Sequence, residues 1–210
     1  MALITIAHPD FRPLLLREAI EAKYLRADKA DVEGKLVINP PDYRTTFVLN
    51  NGTPISFRSI RPTDEPRMRD LFYALSEETI YYRFMSRLKH VQRKQIQDFV
   101  FIDHRTDAAI VGTIPEAYGD EIVCIGRYYV DPKTHLAEVA FVVNDKWQSR
   151  GIGTFLLNHL ITIAKRNGIG GFTAEVLKAN RPMQRVFDKC RHKVTCTPHE
   201  DVYSYRIQFS

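Results

Sequence analysis

Ala137-Glu138-Val139-Ala140-Phe141-Val142-Val143-Asn144-Asp145-Lys146-Trp147-Gln148-Ser149-Arg150-Gly151-Ile152-Gly153 decides the fold. Its first seven residues are apolar except for Glu138, and they read as a strand. A loop over 144–150 follows, and two glycines then open an amphipathic helix that runs to Asn167. Ile152, Phe155, Leu156, Leu160 and Ile163 mark the buried face of that helix. Lys165 and Arg166 suit its C-terminal dipole, and Gly168 suits its cap. A strand that passes through glycines into a helix N-terminus is suited to hold an anion. The first N–H groups are unpaired, the dipole is positive, and Gly151 and Gly153 have no side chain to keep a ligand away. Arg150 adds a full positive charge. The spacing Gln148-x-x-Gly151-x-Gly153 suits a pyrophosphate. A Walker A loop would need Gly-Lys-Ser/Thr, which is absent here. A dinucleotide fingerprint would need a third glycine and an acid after the next strand, and neither stands at the required spacing.

Outward from this stretch the pattern alternates between strand and helix. Upstream, three strands are expected at Ala108–Ile114, Glu121–Val130 and Leu136–Val143, separated by Tyr118-Gly119-Asp120 and Asp131-Pro132-Lys133-Thr134. Ile55, Phe57 and Ser59 alternate with their neighbours as in a half-buried strand over Thr53–Arg61. Asp64-Glu65-Pro66 is a capping acid followed by a first-turn proline, and Met68, Leu71, Phe72 and Leu75 continue at helical spacing. Helical character recurs over Glu77–Arg87 and Val91–Phe101. Downstream, a strand at Phe172–Val176, a helix from Asn180 to Cys190, and strands near Val194 and over Val202–Ile207 complete the order. The expected fold class is therefore α/β (α+β), with a mixed, mostly antiparallel twisted sheet flanked by helices.

Residues 1–52 read as a strand-helix appendage and linker, and residues 53–210 as the principal domain. Leu3-Ile4-Thr5-Ile6 is a short apolar run, and His8-Pro9-Asp10 is a turn. Phe11 to Tyr24 is a helix with Leu15, Ala19, Ala22 and Tyr24 at roughly helical spacing. Asn39-Pro40-Pro41-Asp42 and Asn50-Asn51-Gly52 break the chain around one strand, Thr45–Leu49. The N-terminus lacks the basic n-region of a signal peptide, and no run of 18 apolar residues exists, so a cytoplasmic protein without a membrane span is expected.

The chain has 210 residues, 44% of them hydrophobic, enough for one sizeable core. Cys124, Cys190 and Cys196 are few and odd in number. They and the seven histidines show no metal-ligand spacing, so reduced thiols and no metal are expected. All of the formal net charge of +5 lies in residues 51–210, because 1–50 hold seven basic and seven acidic side chains. That excess suits an anionic cofactor or an acidic partner. Its basic residues are dispersed without the aromatic-interleaved stripe of a nucleic-acid binder.

The region 55–190 resembles the GNAT superfamily of N-acetyltransferases, whose acetyl-CoA signature the opening stretch matches. Ile60-Arg61-Pro62-Thr63-Asp64, Leu75-Ser76-Glu77-Glu78-Thr79-Ile80-Tyr81-Tyr82-Arg83-Phe84 and Arg127-Tyr128 are similar to the bacterial protein-lysine acetyltransferase branch, often fused to acyl-CoA synthetase-type domains. The resemblance implies an acyl-CoA-dependent N-acyltransferase, with acetyl-CoA as co-substrate and an amine such as a protein lysine as acceptor. It implies that Phe141, Val142 and Val143 pair with the pantetheine arm, and that one backbone N–H of this strand polarises the thioester carbonyl. Gln148, Ser149, Arg150, Gly151, Ile152, Gly153 and Thr154 match the pyrophosphate loop. Asn180, with Met183 and Phe187 on the following helix, completes the cofactor contacts. A homodimer is compatible with this family.

Chemistry requires a base, because a lysine with a pKa of about 10.4 is cationic at neutral pH and cannot attack. Glu138 is the candidate catalytic residue. Burial in its apolar strand would raise its pKa towards the useful range, and a glutamate at the matching position has this role in the lysine-acetyltransferase branch. No positioned Cys-His pair suggests a covalent step, so direct transfer is expected. Two positions depart from the family pattern. Phe187 stands where a tyrosine usually protonates the leaving thiolate, and Arg191-His192 replaces a Gly-Phe pair. Tyr128, Tyr129, Tyr203 and Tyr205 are the substitutes at hand. A non-catalytic acyl-CoA sensor attached to a CoA enzyme is the rival reading. The segment Leu3–Arg12 and the helix after it resemble the end of acetyl-CoA hydrolase/CoA-transferase family proteins, which implies a larger acyl-CoA enzyme or a relic of one.

Overall fold

A computed structural model describes residues 4, 7, 11–22, 24, 42–86, 88, 91–104, 106–117 and 119–209. The order is α1 (Arg12–Glu21), β1 (Thr45–Val48), β2 (Pro54–Ser59), α2 (Glu65–Tyr73), α3 (Glu77–Phe84), α4 (Arg93–Val100), β3 (Asp107–Glu116), β4 (Gly119–Asp131), β5 (Leu136–Val143), α5 (Ile152–Arg166), β6 (Gly171–Leu177), α6 (Arg181–Asp188), β7 (Lys193–Pro198) and β8 (Val202–Gln208). One eight-stranded sheet runs β1-β2-β3-β4-β5-β6-β8-β7. Every neighbouring pair is antiparallel except β5 with β6. The expected mixed, mostly antiparallel sheet is found. Of the apolar run 3–6 only Ile4 is described, and it is helical rather than extended. The turn at 8–10, the linker at 25–41, Arg87 and Tyr118 lie outside the described residues.

Each sheet face has its own core. On one face Phe57, Tyr128, Phe141 and Phe172 pack under α5 and α6, with Leu156, Leu160 and Phe187. On the other, Val111, Ile125 and Val142 pack under α2, α3 and α4, with Met68, Phe72, Ile80 and Phe99. The helix α5 buries Ile152, Leu156, Leu157, Leu160, Ile161, Ile163 and Ala164, a stripe worth roughly 1.5–3 kcal/mol for each large side chain. It lies so close to β4 that a Cβ on Gly126 would stand 3.0 Å from both Leu160 and Phe141.

A bulge in β4 sets which side chains face which core. Gly112 pairs with Cys124 but Thr113 pairs with Ile122, so Val123 is the extra residue. Val123 and Cys124 consequently both enter the α5 core, while Ile122 and Ile125 enter the other.

Asp64 stands at the expected N-cap of α2, but its side chain makes no capping bond there. It is 1% exposed, and its carboxylate turns back to accept two bonds from the Arg58 guanidinium, at 2.7 and 2.8 Å, and one from the Arg61 N–H at 2.9 Å. A buried carboxylate needs a full charge partner more than one helix N–H. The helix expected over 77–87 stops at Phe84 because Met85 takes a left-handed φ of 51°. β1 forms the sheet edge beside β2, and Leu49 just after it is buried.

Candidate active site

The strands β5 and β6 share only three pairs: Leu136 with Gly171, Ala137 with Phe172, and Glu138 with Thr173. Beyond Glu138 each strand follows its other neighbour. β5 stays with β4 as far as Val143, and β6 stays with β8 as far as Leu177. The shared ladder therefore opens, and from residue 139 the β6-facing backbone groups of β5 have no strand partner. A cavity of about 800 Å³ occupies the opening. Glu138 to Val143 form one wall and Ala174 to Val176 the other, with α3 residues along its length.

One end of the cavity is closed by the N-terminus of α5. Gly151 is the cap residue, with φ 87°, and Ser149 is also left-handed at φ 59°. Glycine adopts such a conformation freely, whereas a side chain there is strained. Ser149, Gly151, Ile152, Gly153 and Thr154 line the cavity. The first intrahelical bond runs from the Phe155 N–H to the Gly151 carbonyl at 3.0 Å, so the N–H groups of Ile152, Gly153 and Thr154 have no partner within the helix. A Cβ on Gly153 would stand 3.1 Å from Val186 of α6, so its bareness also seats the two helices together. Arg150 does not line this cradle; its guanidinium lies 5.1 Å over the Trp147 ring.

Gln148 acts as a clamp. Its amide donates to the Val143 carbonyl at 3.1 Å and to the Thr79 hydroxyl at 3.0 Å. Asp145 fastens the same loop to the start of α3, accepting from the Ser76 N–H at 2.9 Å and from the Ser76 and Thr79 hydroxyls at 2.7 Å. Partial burial pushes the Asp145 carboxyl up, but the bonds from Ser76 and Thr79 outweigh it and hold the carboxyl below its ordinary value.

Across the cavity, Asn180 caps α6 by accepting the Met183 N–H at 3.1 Å, which leaves its NH2 end for any ligand. Met183 lines the cavity, and so does Phe187, 1% exposed and stacked on Tyr205 with ring centroids 4.7 Å apart. Phe141 lines it beside Phe187 at 6.5 Å, together with Val142 and Val143.

At the other end stands Glu138, opposite Tyr129 in the β4 register. Contrary to expectation, Glu138 is exposed, at the last β5–β6 pair before the ladder opens. None of the four substitute tyrosines lines the large cavity. Tyr128 accepts from the Asn167 amide at 2.8 Å beside a separate cavity of about 150 Å³, and burial pushes its hydroxyl up to about 12. Burial, then a bond with Cys196, pushes Tyr205 up to about 12. Tyr129 lies under Arg127, and Tyr203 under Lys178.

The lining tyrosine among the described residues is Tyr82, which donates to Glu78 at 2.7 Å; its oxygen lies 3.3 Å from the Ala179 carbonyl across the cavity. Arg83 also lines the cavity, from the next position of α3. Sequence reasoning assigned neither residue to the site. Both sit on a helix about 60 residues away, and only packing brings that helix over β5.

The model of a family described as Acetyltransferase (GNAT) family matches residues 70–191. The acetyltransferase PA5475 of Pseudomonas aeruginosa is 29% identical over 136 residues, which cover 65% of this chain and 73% of that protein. The acetyltransferase Pat of Mycolicibacterium smegmatis is 31% identical over 142 residues, covering 67% of this chain and 42% of that longer protein. The GNAT domain of S. lividans PAT superposes with a TM-score of 0.74 at 28% identity, covering 81% of this chain and 99% of that one. RimL, a ribosomal L7/L12 alpha-N-protein acetyltransferase solved with coenzyme A, shares the fold at a TM-score of 0.60 and 13% identity, over 78% of this chain and 98% of its own.

Proposed function

The chain belongs to the acetyltransferase (GNAT) family, and on that premise we propose that it moves an acetyl group from acetyl-CoA to an amine, a protein lysine being the acceptor class, by direct attack. The observation that carries this reading is the divergence of β5 and β6 beyond Glu138, which leaves a cavity ending on the N-terminus of α5.

Acetyl-CoA supplies an acetyl group activated as a thioester. The protein's residues suit such a molecule along the whole cavity. The Ile152, Gly153 and Thr154 N–H groups and the α5 dipole receive phosphate charge. The unpaired edge of β5 over 139–143 offers donors and acceptors to an amide-bearing arm, as an added strand would. Asn180, Met183 and Phe187 close the far wall. Gln148 lines the cavity and holds the loop by the Val143 carbonyl. Ser149 and Gly151 border the phosphate cradle.

Glu138 receives the proton of the incoming ammonium, directly or through one water, so that a neutral amine attacks. Its exposure leaves it reachable by an acceptor that arrives from solvent. Phe187 cannot donate a proton to the departing sulfur, but a thiol with a pKa near 8.5 leaves as a thiolate with little assistance.

The test is release of CoA from acetyl-CoA in the presence and absence of lysine-containing peptides, with the Glu138→Gln variant alongside. Amine-dependent release that falls sharply in the variant supports the reading. An unchanged rate and pH profile in the variant sinks the base assignment, and the absence of amine-dependent release with any acceptor sinks the transferase reading in favour of a sensor.

A further inference from the structure

Two arginines near the Glu138 end of the cavity, one lining it and one buried, have no carboxylate partner among the described residues. Arg83 lines the cavity, its guanidinium 5.4 Å from the Phe84 ring centroid and 5.3 Å from that of Phe99. The Arg127 guanidinium also lies over the Phe99 ring, 4.9 Å from the same centroid and 4.0 Å from that of Tyr129. Arg127 is 2% exposed. One of its terminal nitrogens donates to the Asp98 carbonyl at 3.3 Å, and its Nε makes no hydrogen bond at all. Among the described residues neither guanidinium forms an ion pair. Asp107 and Asp98 act on Arg127, and Glu138 acts on Arg83, without forming an ion pair with them.

This arrangement is costly as it stands. A buried charge is tolerated when it is paired, and two like charges around one ring raise the cost further. Burial, with the neighbouring Arg83 charge adding to it, brings Arg127 down to about 10; burial lowers Arg83 as well. The aromatic faces return part of that cost but provide no acceptor for the N–H donors. The β4–β5 register gives the pair an address: Arg127 lies opposite Ala140 and Tyr129 opposite Glu138, and both Ala140 and Glu138 line the cavity. The unsatisfied Arg127 Nε therefore belongs to the residue diagonal to Glu138 across the β4–β5 pair.

From this we infer that Arg83, with Arg127 positioned behind it, binds a carboxylate of the acceptor, so that the enzyme selects amines presented beside an acidic group. The inference deepens the proposed transfer reaction and rests on it. A planar guanidinium takes a carboxylate through two parallel bonds, and the second positive charge strengthens that bond in the dry interior. The carboxylate has two sources, an acidic side chain flanking a peptide lysine or the acceptor's own carboxylate in a free amino acid.

The experiment measures kcat/KM, at saturating acetyl-CoA, for a lysine peptide flanked by glutamate, for the same peptide flanked by glutamine, and for a free amino acid beside its amide. For either source we expect about a tenfold preference for the charged form, the scale of a charge-assisted bond. The arm that shows the preference identifies the source. In Arg83→Ala the ratio falls to about one, and in Arg83→Lys it falls only partly, because the charge remains while the fork is lost. Calorimetry of sodium glutarate into CoA-loaded protein reads the subsite without turnover, with heat expected from the native protein and none from Arg83→Ala. A ratio near one in the native protein, an unaltered ratio in a folded Arg83→Ala protein, or no glutarate heat overturns the inference. Glutarate heat without any amine-dependent release of CoA would instead sink the transfer reading while leaving the anion subsite standing.

Discussion

The two ends of the cavity differ in what supplies their polar groups. At the helix end the donors are backbone N–H groups of Ile152, Gly153 and Thr154, consecutive in sequence and fixed by one left-handed glycine. At the strand end the polar groups are side chains, the accepting Glu138 carboxylate from β5 and the donating Arg83 guanidinium from α3. Backbone donors have one geometry and no sequence preference, so the helix end suits a constant ligand. Side-chain donors can be altered one at a time, so the strand end is where selectivity can change without disturbing the cofactor.

This division makes the two ends separately breakable. The largest effect is expected from Glu138→Gln, which should lower kcat by about a hundredfold or more while calorimetry finds the affinity for CoA nearly unchanged. A parallel loss of CoA affinity would show that the ends are not independent. The mirror variant is Gly151→Ala. A side chain at φ 87° costs ~1–2 kcal/mol, so CoA should bind about tenfold more weakly while the preference among acceptors is kept. A shift in acceptor preference would again merge the two ends.

Gln148→Ala probes the clamp between them. Loss of its bonds to Val143 and Thr79 should cost about 1 kcal/mol in urea unfolding, since both partners lie near solvent that can replace them. A change in CoA affinity larger than this would mean that the Gln148 side chain contacts the ligand itself.

The smallest effect concerns pH. The folded Asp145 carboxyl sits below its ordinary value of 3.8, so its stabilising contribution is present above that value and is lost as pH falls through the folded one. Thermal midpoints of the native protein and Asp145→Asn should differ by a constant amount from about pH 5 to 8, equivalent to about 0.5 kcal/mol for so exposed a group, and should converge below about pH 4. A gap that widens on acidification would contradict the bond pattern from Ser76 and Thr79.

Much of the helix end was legible because its parts are neighbours in the chain. The strand Leu136–Val143, the glycines and the amphipathic stripe of α5 follow one another within 30 residues, and each announces itself by local periodicity or backbone freedom. Within that stretch side-chain direction was not legible. Arg150 faces Trp147 and Gln148 faces Val143 and Thr79, and neither direction is encoded by spacing. Asp64 misled for the same reason: a local cap and a distant arginine competed for one carboxylate, and the full charge won.

The strand end was only partly legible. Glu138 could be found as the single charge in an apolar strand, but its exposure and its place at the last β5–β6 pair depend on contacts between elements that its local pattern does not show. Tyr82 and Arg83 carried only helical spacing and the family resemblance of their segment, neither of which put them at the cavity, since their place over it comes from the packing of α3. Arg127 lies in a strand of buried residues, and its unsatisfied nitrogen exists only because Phe99 and Tyr129 close around it. Sequence alone determined the order of strands and helices, the helix N-terminus that suits phosphates and the family, because these depend on residues close in the chain. Tertiary structure alone decided the open ladder, the exposure of Glu138 and the pairing of two arginines, because each depends on contacts between elements that the chain separates widely.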